Sequence, residues 1–279
     1  MPPPRPNLPK IVSQLGAHYG KPDPPITTDP FELILLENIA YLVRDEQRAK
    51  AFKTLRKHAG TRPHEILAAS HDEILPATKL GGMHPEQRVA RLKEIALIAL
   101  NEFGGDLKQV LKLPLPKAKQ ALRKFSSIGE PSAEKILMFT RAYPILGLDS
   151  NGLRVLVRLG FDEGKKNYTA TYRATQEAIK DQLNDDYDWL ISAYVLLRQH
   201  GKELCKTNAP LCEKCPVRKS CAYFKAHGAV ARPGVPRRQP GWGGGGKGGR
   251  VLRRASEPEP RSGEIFIASG SRKQVSQQE

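Results

Sequence analysis

Apolar residues recur at helical spacing along most of the chain, and the period-two alternation of strands is nearly absent. After a Pro-rich start, the stretch from Leu8 to Tyr19 carries Ile11, Leu15 and Ala17, and Asp23-Pro24-Pro25 ends it. Asp29-Pro30 reads as a helix cap followed by proline at the first helical position. The run behind it places Leu35, Ile39 and Leu42 at helical spacing. A longer helix is predicted over 85–103, with Leu92, Ala96, Ala99 and Leu100 on one face and Gly104-Gly105 as its stop. Another is predicted over 187–200, where Leu190, Tyr194 and Leu197 align. The fold class this pattern predicts is all-α.

The pattern fades near Phe224. Residues 226–279 hold eleven of the 24 glycines, including the run Gly243 to Gly246. Such a segment has too little apolar surface to offset its ordering entropy, so it reads as a disordered basic tail. The chain of 279 residues has a formal net charge of +16. The tail, with ten basic and four acidic residues, supplies a surplus of six, so residues 1–225 are basic on their own account. A surplus of that size favours a polyanionic partner through counterion release. No apolar run is long enough to span a bilayer, and Met1-Pro2-Pro3-Pro4-Arg5-Pro6 has no signal-peptide core. The expectation is a cytoplasmic protein, with no membrane partner.

In a reducing compartment four clustered cysteines point to metal rather than to disulfides. Cys205, Cys212, Cys215 and Cys221 form a C-x6-C-x2-C-x5-C pattern, and the rest of the chain has no cysteine. Four thiolates in one short loop can close around a single centre; their chemistry suits zinc as well as iron–sulfur. The spacing resembles the cluster loop of endonuclease III-like DNA glycosylases of the helix-hairpin-helix superfamily. That resemblance implies a four-iron–four-sulfur (4Fe-4S) cluster on the four cysteines. Lys202, Lys206, Lys214, Arg218 and Lys219 surround them. Of these, Lys214, Arg218 and Lys219 are candidate contacts to DNA phosphates.

Two further segments carry the resemblance. Phe125-Ser-Ser-Ile-Gly-Glu-Pro-Ser-Ala-Glu-Lys-Ile-Leu137 is similar to the superfamily's hairpin and the helix that follows it. Ser127, Ile128 and Gly129 occupy the DNA-contacting turn, with Ser127 in place of a turn glycine. Gly129 is the residue free to take a positive φ, and Pro131 suits the first turn of the next helix. Leu148-Asp149-Ser-Asn-Gly-Leu-Arg-Val155 resembles the segment that carries the superfamily's catalytic aspartate, which makes Asp149 that residue. Taken alone, an Asp before a helix is an ordinary cap. The roles are compatible, because a carboxylate there could stabilise the cation that develops on the sugar.

Strand-cutting members form a Schiff base through a lysine in the hairpin helix. The alignment puts Pro131 at that position; Lys135, one helical turn on, is the candidate substitute. Glu37 falls where monofunctional relatives, the adenine and mismatch thymine/uracil glycosylases, carry a catalytic glutamate. A continuous helix would place Tyr41 and Arg44 on its face. Lying in the apolar stretch from Leu33 to Ile39, its carboxyl would be partly desolvated, which suits proton transfer to a departing base or activation of water. The alternative is a Glu37–Arg44 pair on a solvated face. The Gln-rich patch of adenine glycosylases is absent; Ala40, Tyr41 and Leu42 stand there.

The resemblance covers residues 29–225. It implies an N-terminal segment (1–28) packed on a cluster domain, a helical barrel with the hairpin (29–143), the aspartate and cluster domain (144–225), and the tail (226–279). It implies a DNA glycosylase of base excision repair, acting as a monomer on double-stranded DNA that contains a damaged or mismatched base. The target nucleotide would be flipped out, with Leu42 wedged into the vacated stack. Three readings stay open: a monofunctional glycosylase, a bifunctional glycosylase with abasic lyase activity, and a non-catalytic DNA-binding homologue.

Overall fold

A computed structural model describes residues 5–165 and 167–228; the tail beyond 228 lies outside them. Among the described residues there are twelve α-helices and no strands. They are α1 (Leu8–Tyr19), α2 (Pro30–Ile39), α3 (Asp45–His58), α4 (Pro63–Ala68), α5 (His71–Leu80), α6 (Pro85–Phe103), α7 (Leu115–Leu122), α8 (Glu130–Phe139), α9 (Ser150–Leu159), α10 (Tyr168–Ile179), α11 (Tyr187–Glu203) and α12 (Ala222–His227). No helix among them is long and apolar enough to cross a membrane.

The described chain divides into two compact units, residues 21–128 and residues 5–20 with 129–228. In the first, α2 packs on α3 and α6, α3 on α5, and α4 and α5 on α6. Nine of the ten residues of α2 are buried, which is why its sequence is apolar almost all round. Its start is fixed locally: Asp29 Oδ1 accepts from the amides of Phe31 and Glu32, with Pro30 in the first turn.

In the second unit α11 packs on α1, α8 and α9. The apolar stripe of α1, formed by Leu8, Ile11, Val12 and Leu15, is buried, and Ala17 faces out. The division falls between Ile128 and Gly129, so α8 belongs with the aspartate and cysteine segments rather than with residues 29–128. The reason is packing: α8 is buried along eight of its ten residues, and Phe139 meets Tyr194 of α11 edge to face.

Two local expectations are corrected. The first concerns the end of α2, which stops at Ile39, with Ala40 extended (φ −147°). Instead of continuing the helix, the Tyr41 amide donates to Gly81 O at 2.9 Å. Tyr41 and Arg44 therefore share no helix face with Glu37, and Leu42 does not continue the row of Leu35 and Ile39. The second concerns the hairpin turn. There the positive φ falls on Ser127 (+64°), while Gly129 is extended (φ −85°) as the cap of α8.

Candidate active site and cysteine loop

Asp149 caps α9, with Oδ1 accepting from the Gly152 amide at 2.7 Å and Oδ2 from Asn151 Nδ2 at 3.1 Å. It is fully buried, and Arg198 Nε of α11 stands 3.4 Å from Oδ2. Helix start, side-chain amide and guanidinium together set a positive surround for this carboxylate. The approach of α11 to the start of α9 depends on Gly201, where an added Cβ would sit 2.7 Å from Asn151 O. Arg154 ties the same corner, donating to Gly201 O at 2.7 Å and to Cys205 O at 2.9 Å.

Lys135, in α8 of the same unit, has no solvent exposure. Its ammonium lies 6.0 Å from the centroid of the Tyr194 ring, a cation–π distance. Next to it in sequence, buried Glu134 accepts from the Tyr172 hydroxyl and from Gln176.

The other unit holds the second group of residues. Glu37 lies in the last turn of α2 and is 4 % exposed, which excludes a solvated face. Its neighbour Asn38 donates to Ile34 O at 3.0 Å and to Ser126 O at 3.1 Å, which ties the hairpin turn to α2. Arg91 of α6 reaches Ser127 Oγ at 3.4 Å, and the Ile128 amide is used within the turn on Phe125 O at 3.1 Å. Ile128 itself is buried, and Gly129 is exposed. Arg88, also buried, is pushed down to about 10 by burial and by the charges of Arg91 and Arg48. Its Nη1 has no hydrogen-bond partner among the described residues.

Beyond α2 the chain exposes apolar side chains. Leu42 is 72 % exposed with φ +56°, and Met83 is 57 % exposed. Their loops are joined by the Tyr41–Gly81 bond and a parallel bridge between Tyr41 and Gly82. Gly82 (φ +91°) allows this: a Cβ there would lie 2.9 Å from Tyr41 O.

The four cysteines are free thiols, and all four line one cavity together with Val155, Leu159, His200 and Arg158. Burial, aided by the charges of the other three cysteines, pushes the Cys215 thiol up to about 11; burial also raises Cys212 and Cys221. Arg158 Nη1 lies 3.4 Å from Cys205 Sγ and also donates to Lys206 O at 2.7 Å, so the guanidinium holds the loop backbone and faces that sulfur. Among the described residues no group of three or more His, Cys, Asp or Glu side chains is drawn together closely enough to hold a single metal ion. Lys214 and Lys219 are exposed, while Arg218 is tied to Glu213, donating to its backbone oxygen at 2.8 Å.

A comparison with protein-family models gives no match. Among curated proteins, the chain is 28% identical over 201 residues to endonuclease III of Thermotoga maritima, covering 72% of this chain and 86% of that one. It is 26% identical to endonuclease III of Sulfolobus acidocaldarius, covering 71% and 84%. These matches to endonuclease III support the helix-hairpin-helix DNA glycosylase superfamily. A solved structure of a thermostable thymine-DNA glycosylase shares the fold, with a TM-score of 0.63, 19% identity and coverage of 79% of this chain and 97% of the other.

The sequence places Asp149 at a helix cap, which the structure bears out, and does not mark Arg198, Met83 or Arg88. No local signal marks Arg198, because its meaning comes only from α11 lying against α9. Met83 follows Gly81-Gly82, a pair that does mark a turn in the sequence. Glu37 and Asn38 lie in one unit, and Asp149 and Lys135 in the other.

Proposed function

We propose that this chain is a DNA glycosylase of base excision repair. It hydrolyses the bond between a damaged or mismatched base and its sugar in double-stranded DNA and leaves the strand intact. The observation that carries this reading is Asp149: a fully buried carboxylate on a helix cap, held by Gly152, Asn151 and Arg198. A fixed negative charge of that kind stabilises the cation that develops on the sugar as the base departs, and needs no reorganisation during the step. Glu37, desolvated at the end of α2, carries the proton for the departing base or takes one from the attacking water. Leu42 and Met83, exposed on bridged loops, are suited to fill a base stack from which a nucleotide has been turned out. The hairpin turn and the exposed Lys214 and Lys219 supply phosphate contacts.

The cysteines suit an iron–sulfur cluster. The donor set is four free thiols around one cavity, with the Arg158 guanidinium facing the negative charge that four thiolates bring. Cys205, Cys212, Cys215 and Cys221 would hold the 4Fe-4S group. Once bound, it cross-links the loop and supplies a one-electron couple.

A second reading has its own support. Lys135 is fully buried one turn beyond Pro131, and a desolvated lysine is the kind that attacks a sugar aldehyde. A lesion panel separates the possibilities when each DNA product is scored directly and after alkali. Strand breaks only after alkali support the monofunctional enzyme and name the base. Breaks without alkali, with a borohydride-trapped adduct lost in Lys135→Gln, support the lyase. Intact DNA on every lesion, with salt-dependent binding retained, leaves the DNA-binding homologue.

A further inference from the structure

His200 connects a phenol to a cluster ligand. It lies on α11, almost wholly buried, and lines the cavity of the four cysteines. On one side its Nδ1 is 3.1 Å from the hydroxyl of Tyr19, the last residue of α1, and the two rings meet edge to face. On the other side its Nε2 is 3.5 Å from Cys215 Sγ. Its backbone oxygen accepts from the Cys205 amide at 2.8 Å, so the residue is anchored at the root of the loop.

The chemistry of the three groups fixes the direction of these bonds. A ligand thiolate only accepts, so the nitrogen facing it must carry hydrogen. A neutral imidazole has one N–H, so its other nitrogen accepts. A phenol hydroxyl is the donor that such a nitrogen needs. Tyr19 O–H donating to Nδ1 therefore selects the tautomer whose Nε2–H points at Cys215. Without the hydroxyl, the opposite tautomer becomes accessible, and it would turn a lone pair toward the thiolate. The Arg158 contact to Cys205 is charged and doubles as a loop tie, whereas His200 offers Cys215 a neutral donor.

We propose that Tyr19 and His200 form a hydrogen-bond relay ending on the Cys215 thiolate, which sets the reduction potential of the bound cluster. This rests on the cluster assigned above. Hydrogen bonds to ligand sulfur favour the reduced, more negative state, and outer partners of this kind tune the potential of a metal group. Both are positioning residues: they act through Cys215 and touch no DNA.

The test uses the full chain purified without oxygen, alongside Tyr19→Phe, His200→Leu and Lys10→Ala, a surface control on α1. Iron and acid-labile sulfide are measured first, then the potential by protein-film voltammetry, and the melting temperature in parallel. With the cluster present, Tyr19→Phe should lower the potential, reducing the ratio of reduced to oxidised cluster at fixed potential by about five-fold, the net worth of one hydrogen bond. His200→Leu should lower it further, and Lys10→Ala should leave it unchanged. If His200→Leu fails to retain iron, Tyr19→Phe, which loses only one oxygen, decides alone. A Tyr19→Phe protein with full iron and unchanged potential overturns the relay, even if its melting temperature falls, and leaves the cluster reading standing. A wild-type chain without iron or sulfide overturns both.

Discussion

The Arg198 guanidinium and the Asp149 carboxylate form an ion pair at 3.4 Å, both almost wholly sealed from solvent. Breaking such a pair from either side leaves the other charge buried without its ion partner, at a cost of about 3–5 kcal/mol. Arg198→Met should therefore destabilise the fold by that order in urea melts. Asp149→Asn should keep DNA binding and lower base release by at least about 10²-fold. The double variant should melt above Arg198→Met. If the two losses simply add, the pair does not interact.

Leu42 combines exposure with a left-handed backbone that side chains tolerate poorly. Leu42→Gly should relieve about 1 kcal/mol of strain and raise the melting temperature. The same change removes the apolar wedge and should slow base release by about ten-fold or more. Opposite movement of stability and activity is the expected outcome. A parallel change in both would mean that Leu42 serves the fold.

Ser127 bears the positive φ of the hairpin turn, +64°, with its hydroxyl beside Arg91. Ser127→Gly should stabilise the chain by about 1 kcal/mol, and Ser127→Val should destabilise it by more, because a branched side chain tolerates that region least. Thermal melts of the two variants check the ordering.

Glu32 gives an acid-side dependence. Burial raises its carboxyl, but hydrogen bonds from Thr27, Thr61 and Arg56 outweigh this and hold it below its ordinary value. Thr61 Oγ1 donates at 2.6 Å, and Arg56 Nη2 reaches both carboxylate oxygens at 3.1 Å. Because the folded value is depressed, the stabilisation is fully present above the unfolded carboxylate range and is lost as pH falls through the folded value. Melting temperature against pH should show a smaller acid-side drop in Glu32→Gln than in wild type. An identical drop in both would remove Glu32 from the account.

Much of this was readable from short stretches of chain. Asp29-Pro30 started α2, Gly104-Gly105 closed α6, and Asp149 sat ahead of α9, because caps and breakers act through groups within four residues of each other. The ends of α1 and α6 coincided with the sequence boundaries for the same reason. The end of α2 did not follow its own pattern. Ala40, Tyr41 and Leu42 have no local bar to helix, and the chain leaves it because the Tyr41 amide finds Gly81 O. The positive φ in the hairpin also went to Ser127 rather than to the available Gly129, a choice made where Asn38 and Arg91 hold the turn.

What the sequence by itself determined was the helical class, the caps and the four-cysteine spacing. Each follows from residue chemistry and distance along the chain. Only the tertiary structure decided that Arg198 meets Asp149, that Lys135 is buried against Tyr194, that Leu42 and Met83 stand out on bridged loops, and that Tyr19 reaches Cys215 through His200. Those pairings join segments far apart in the chain. They depend on which buried faces pack together, and burial then turns an ordinary polar residue into a partner that must be satisfied.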